Sequence, residues 1–166
     1  SSDLYDHYQK GQWREPLFEL AEPAVADHVA AVVAGWFERG VDGVRVDAAA
    51  DVPAPLLARI AATARARRAD AVVFGEVVPT CVDRFAPTPL DAATDFAMAD
   101  ALGGWLAGTT RAAELVRIAA AQRRRGAASP RGLGFTGTHD QARIATRVGA
   151  ARARLGLVAV ALGARV

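Results

Sequence analysis

The chain has 166 residues, 52% hydrophobic and 23% charged, with 20 Lys plus Arg against 18 Asp plus Glu for a net charge of +2. That much apolar material can bury a core and argues against disorder, and so small a net charge leaves no electrostatic footprint for nucleic acid. The single cysteine, Cys81, excludes an internal disulfide framework and reads as a small packing residue, and no run of about 18 apolar residues offers a membrane span.

The polar, aromatic start SSDLYDHYQKGQWREP has neither the basic region nor the apolar core of a signal peptide. Residues 1–21 read as a loop ahead of the first helix. Glu22 to Arg39 then places Val25, Val29, Val32, Val33, Trp36 and Phe37 at helical spacing, with Gly40 as the stop. Trp36 falls on this apolar face and is expected in the core, whereas Trp13 lies in the preceding loop and is expected to be available to a ligand. Val41 to Val46 is short and β-branched, a buried strand running into the polar DAAAD stretch. A helix follows Pro53 to about Arg68. Further strands are expected at Ala71 to Phe74, Ala92 to Phe96 and Gly132 to Thr136, separated by helices over Ala97 to Leu106 and Arg111 to Arg125. A last helix is expected from Gln141 towards Arg154, and the apolar run Leu155 to Leu162 suits either a fifth strand or a buried helix. The arginines at 65, 67 and 68 and at 123 to 125 lie near helix C-termini, where cations complement the dipole; phosphate binding is the sharper alternative.

Alternating strands and helices argue for parallel strands with helical crossovers, hence an α/β fold. A doubly wound sheet would announce a glycine-rich phosphate loop after an early strand, and no G-x-G-x-x-G or G-x-x-x-x-G-K-S/T occurs. A barrel instead sets functional residues at the ends of several strands on one face. Asp47, Glu76, Asp95 and the pair His139 and Asp140 are carried at or just beyond the ends of successive expected strands, so the barrel is preferred.

The residues at those strand ends form motifs. GVDGVRVDAA, with Arg45 two positions before Asp47, resembles the strand of the α-amylase family that carries an arginine and the nucleophilic aspartate. VVFGEVV resembles the strand ending in that family's acid/base glutamate, here Glu76. GFTGTHDQARI resembles its histidine and aspartate motif, here His139 and Asp140, and DAATDFAMADAL resembles the intervening strand with its Asp-Phe pair. The order and spacing of the motifs together carry the resemblance over most of the chain. It implies a retaining glycoside hydrolase acting on α-glucosidic linkages of α-glucans or oligosaccharides. Asp47, Glu76 and Asp140 would be its catalytic carboxylates, Arg45, His139 and Arg143 its substrate contacts, and no cofactor is needed. A transglycosidase or isomerase of the same family, and a non-catalytic barrel that binds a protein partner, are the alternatives.

Elementary chemistry asks for the same residue types. A retaining glycosidase needs a carboxylate nucleophile and a carboxylic acid about 5 Å apart across the scissile bond. An arginine two residues before the nucleophile on one strand shares its face, because side chains alternate with period two, and holds the carboxylate ionised. Bland readings fit each motif taken singly: Arg45 and Asp47 as a structural ion pair, Glu76 as an ordinary strand-end residue, Asp140 as a helix cap, Arg143 on a solvated helix face. Asp95 reads as structural.

Departures from the family pattern bound the expectation. The family's earlier motif, an aspartate with a nearby Asn-His pair, has no counterpart before Asp47, and Thr138 stands where an asparagine precedes the His-Asp pair. Calcium sites of many members draw on that missing region, so no metal is expected. Residues 22–166 are therefore expected to form the C-terminal five-strand portion of a (β/α)8 TIM barrel with its first strands missing. Such a piece would be inactive by itself and would need the remainder of the barrel as its partner.

Overall fold

The computed structural model describes residues 20–77, 89–124 and 130–163. Trp13, Cys81 and Arg125 lie outside them. The chain divides into two compact units, one of residues 1–43 and 52–71, the other of residues 44–51 and 72–166.

The first unit is a helix pair, α1 (Pro23–Glu38) and α2 (Ala54–Arg67). Proline sits in the first turn of α1, where its missing N–H is no loss, and Gly40 ends it at φ +95°. Helix α1 buries Ala30, Val33, Ala34 and Phe37, and α2 buries Leu56, Leu57, Ile60, Ala61 and Ala64. Trp36, expected in the core, is instead 55% exposed, with the Arg39 guanidinium 5.8 Å from its ring centroid. The packing stripe passes over Ala30 and Ala34, small residues that let two helices approach closely, whereas the sequence reading followed the larger side chains one step round the helix. The arginines at the end of α2 are engaged: Arg67 pairs with Glu38, and Arg68 with Asp42 at 2.7 Å and Asp70 at 2.9 Å. These pairs favour the structural reading of that cluster over phosphate binding.

The second unit is built on a parallel sheet of four strands, β1 (Gly43–Val46), β2 (Val72–Gly75), β3 (Ala92–Thr94) and β4 (Arg131–Leu133), in the order β1-β2-β3-β4. Register pairs Phe74 with Ala92 and Ala93 with Gly132. With it go α3 (Phe96–Ala107), α4 (Ala112–Arg123), α5 (Ile144–Val148) and α6 (Ala150–Gly163). Buried Val73, Val77, Leu90, Ala93, Leu102 and Leu106 form its core. Asp91, just before β3, ties down β2: its Oδ2 accepts from Val73 N at 2.8 Å, and its own N donates to Val73 O.

Two expectations change here. The helix expected from Gln141 to Arg154 is broken at Gly149, where φ +81° and ψ 158° interrupt the helical path and separate α5 from α6. The apolar run from Leu155 takes the helical of its two readings, within α6, so the described residues hold four strands where five were expected. Gly156 lets α6 come close to α3, since a Cβ there would lie 2.8 Å from Leu106 Cδ1.

Candidate active site

Because the strands are parallel, their C-terminal ends share one edge of the sheet. Asp47 is the first residue after β1 and Glu76 the first after β2. Neighbouring strands run about 4.8 Å apart, so side chains leaving adjacent strands at this level are brought within contact of a common group. That group is Arg45, whose Nη1 lies 2.6 Å from Asp47 Oδ1 and whose Nη2 lies 3.0 Å from Glu76 Oε2. The Arg45 side chain is one-third exposed, the Asp47 side chain 72% and the Glu76 side chain 18%. One carboxylate thus stands open to solvent and the other is largely enclosed, with a planar cation bridging them.

The turn after β1 is bound to the end of β2. Glu76 N donates to Val46 O at 2.8 Å, Ala49 N donates to Glu76 O at 3.0 Å, and Ala48 N donates to Glu76 Oε2 at 3.4 Å. Ala48 has φ +41°, the left-handed region. Ala49 is wholly buried, and Gly75 lies so near it that a Cβ on Gly75 would stand 2.7 Å from Ala49 Cβ and 2.9 Å from Leu90 Cδ1. One residue on from Glu76, Val77 N donates to the buried Thr94 Oγ1 at 2.9 Å, which fastens the end of β2 to that of β3.

His139 and Asp140 follow β4 in a turn, at the same edge by topology, with His139 Nε2 3.4 Å from Asp140 Oδ1 and both side chains mostly exposed. Asp140 N donates to Thr138 Oγ1 and Arg143 Nη1 to Thr138 O, so the arginine folds back onto the turn. Phe135, ahead of this turn, packs edge-on against Phe96 with ring centroids 5.0 Å apart. Asp140 does not cap a helix: α5 begins at Ile144, with Arg143 at its N-cap. The structure therefore brings Arg45, Asp47 and Glu76 together and groups His139, Asp140 and Arg143 separately. Among the described residues no hydrogen bond or ion pair joins the two groups. Asp95 serves the backbone, accepting at Oδ1 from Met98 N as the N-cap of α3. Among the described residues no three His, Cys, Asp or Glu side chains are grouped to hold a metal.

Sequence reasoning missed Ala48, Gly75 and Thr94. An alanine carries no signal for a left-handed turn; the glycine before Glu76 was the one available clue, since glycine inside a strand marks a close approach.

Carboxylates and an arginine on the C-terminal edge of a parallel sheet with helical connections define part of an α/β barrel with its polar face at the strand ends. Among the solved structures that share this fold are α-amylase-family enzymes. A cyclic α-maltosyl-(1→6)-maltose hydrolase from Arthrobacter globiformis matches over 92% of this chain and 36% of its own, with a TM-score of 0.80 and 22% identity. The Nostoc punctiforme debranching enzyme matches over 87% and 34%, with a TM-score of 0.70 and 20% identity. The type III pullulan hydrolase from Thermococcus kodakarensis matches over 88% and 28%, at 0.67 and 20%. The chain thus spans about a third of the length of the structures it resembles. No protein-family model and no curated protein sequence matches it.

Proposed function

We propose that the protein to which this chain belongs cleaves or transfers α-glucosidic linkages of α-glucans or oligosaccharides by a retaining double displacement. The observation that carries the reading is the bridge from Arg45 to both Asp47 and Glu76 at the ends of adjacent parallel strands. Retaining glycosidases hold their two carboxyl groups about 5 to 5.5 Å apart, a separation that side chains from neighbouring strands meet without distortion. Asp47, open to solvent and fixed by Arg45, attacks the anomeric carbon. Glu76, enclosed, protonates the departing oxygen and then activates water or an acceptor sugar. Asp140 and His139 engage sugar hydroxyls, with Arg143 holding their turn in place.

Hydrolysis and transfer share this chemistry and differ in which acceptor reaches the glycosyl-enzyme. A cyclomaltodextrin glucanotransferase shares the fold as well, which keeps transfer beside hydrolysis. The rest of the barrel would complete the substrate cleft, so the 166-residue chain alone is expected to be inactive.

The test is hydrolysis of a chromogenic α-glucoside by the full-length parent and its Asp47→Asn variant, with the anomeric configuration of the product followed by NMR. The proposal expects α-product from the parent and a fall of roughly 10⁴-fold or more in the variant, as for loss of a covalent nucleophile. An inert parent on every α-glucan tried would move the partner-binding scaffold ahead, and a β-product would exclude retention.

A further inference from the structure

Glu76 is gripped on one of its two oxygens. Oε2 lies 3.0 Å from Arg45 Nη2 in an ion pair and accepts from Ala48 N at 3.4 Å, while among the described residues no hydrogen bond or ion pair engages Oε1. The backbone of Glu76 is tied to the same turn through Val46 O and Ala49 N. Ala48 aims its amide this way with φ at +41°, a region that residues other than Gly, Asn and Asp visit seldom and at a cost. The neighbouring Ala49 side chain occupies the space beside Gly75 that any larger residue at either position would contest. Strain held beside a candidate catalytic carboxyl, by a residue with no functional side chain, calls for a role carried by the backbone.

The geometry points to Ala48 as a positioning residue whose left-handed backbone commits Oε2 of Glu76 to accepting hydrogen bonds and leaves Oε1 as the oxygen that gives and takes the catalytic proton. The assignment rests on the glycosidase reading above. A carboxylic acid with a cation and an amide N–H against one oxygen carries its hydrogen on the other, because a proton on Oε2 would face the guanidinium and the amide N–H. In the first step the Oε1 proton passes to the glycosidic oxygen as its bond to the anomeric carbon breaks and Asp47 bonds that carbon. In the second step water, or an acceptor hydroxyl, attacks the carbon and displaces Asp47, and Oε1 takes the proton the nucleophile releases. The bond from Ala48 is long, as catalytic hydrogen bonds often are before substrate tightens them.

A comparison of leaving groups in the full-length parent tests this. An oligosaccharide departs as an alkoxide and needs the acid, whereas α-glucosyl fluoride departs without a proton, and kcat/KM reports the first step for both. The variant Ala48→Val keeps the N–H but disfavours positive φ. It is expected to lower kcat/KM on maltotriose by about 100-fold, the scale of a misaligned catalytic group. On the fluoride the loss is expected to be several times smaller. The conservative Ala48→Gly, which accepts positive φ without a Cβ penalty, is expected to recover most of the maltotriose rate. Should Ala48→Val fail to fold, Gly75→Ala, whose Cβ would push the same turn through Ala49, takes its place with the same expected split. Equal losses on both substrates, or no loss on either, would overturn the assignment while leaving the glycosidase reading intact. A wild-type parent inert towards both would overturn the glycosidase reading and the assignment with it.

Discussion

Two carboxylates at the ends of adjacent strands share one arginine. Arg45 lies within an apolar strand, Asp47 and Glu76 directly follow theirs, and the structure sets both carboxylates against the Arg45 guanidinium. What was not legible is how they are held, because the holding is done by backbone atoms and by small residues that carry no chemical signal. Thr94 is an example: a threonine in a weak strand, buried, and hydrogen-bonded to both N and O of Val77. Thr94→Val keeps the shape and leaves Val77 N without its acceptor. An unsatisfied buried donor costs about 1 to 3 kcal/mol, so a denaturant titration of the chain is expected to lose stability on that scale. A neutral result would mean that water or a shifted backbone replaces the hydroxyl.

At the level of elements, helices from Pro23 to Arg123 were readable to within a residue or two because periodicity, prolines and terminal glycines agree. The third quarter of the sheet was weaker: β3 is Ala-Ala-Thr, residues with little strand preference, and it is placed by its neighbours on either side. Gly149 shows what periodicity cannot see. Its φ of +81° and ψ of 158° fall where only glycine is at ease, although a Cβ there would meet nothing within 4 Å. Gly149→Ala is therefore expected to cost about 1 to 3 kcal/mol with no steric clash, measurable as a lowered melting temperature. An unchanged melting temperature would mean the link between α5 and α6 adapts freely.

In α4, hydrogen bonds and then the charge of Arg117 hold the Glu114 carboxyl below its ordinary value, and the same contact raises Arg117. A lowered carboxylate adds stability above its unfolded value and loses it as pH falls through its folded value. The stability difference between wild type and Arg117→Gln is thus expected to shrink on acidification and in high salt, since the pair is at the surface. A difference that survives both would show the arginine acting through its aliphatic stem. In the first unit, Leu57 of α2 is almost wholly buried, and Leu57→Ala is expected to cost about 2 to 5 kcal/mol in the same titration.

For the molecule as a whole, the α/β class followed from the sequence, whereas the division into interleaved compact units, residues 1–43 with 52–71 and residues 44–51 with 72–166, did not. Composition does not say which helix pairs with which. Helix α6 leaves Leu155, Leu157, Val158 and Leu162 exposed. Replacing Leu157 and Leu162 by lysine is expected to raise the solubility of the isolated chain while changing its stability by only about 0.5 kcal/mol each. A large loss of stability would place those side chains in a packed environment of their own.

The sheet order β1-β2-β3-β4 repeats the order of synthesis. Each strand can settle on the one made just before it, with no gap held open for a later arrival, so the sheet is suited to assembly as the chain leaves the ribosome. On that schedule Arg45, Asp47 and the turn at Ala48 meet Glu76 before His139 and Asp140 have been translated, and the two carboxylates are set against each other while the third is still to come.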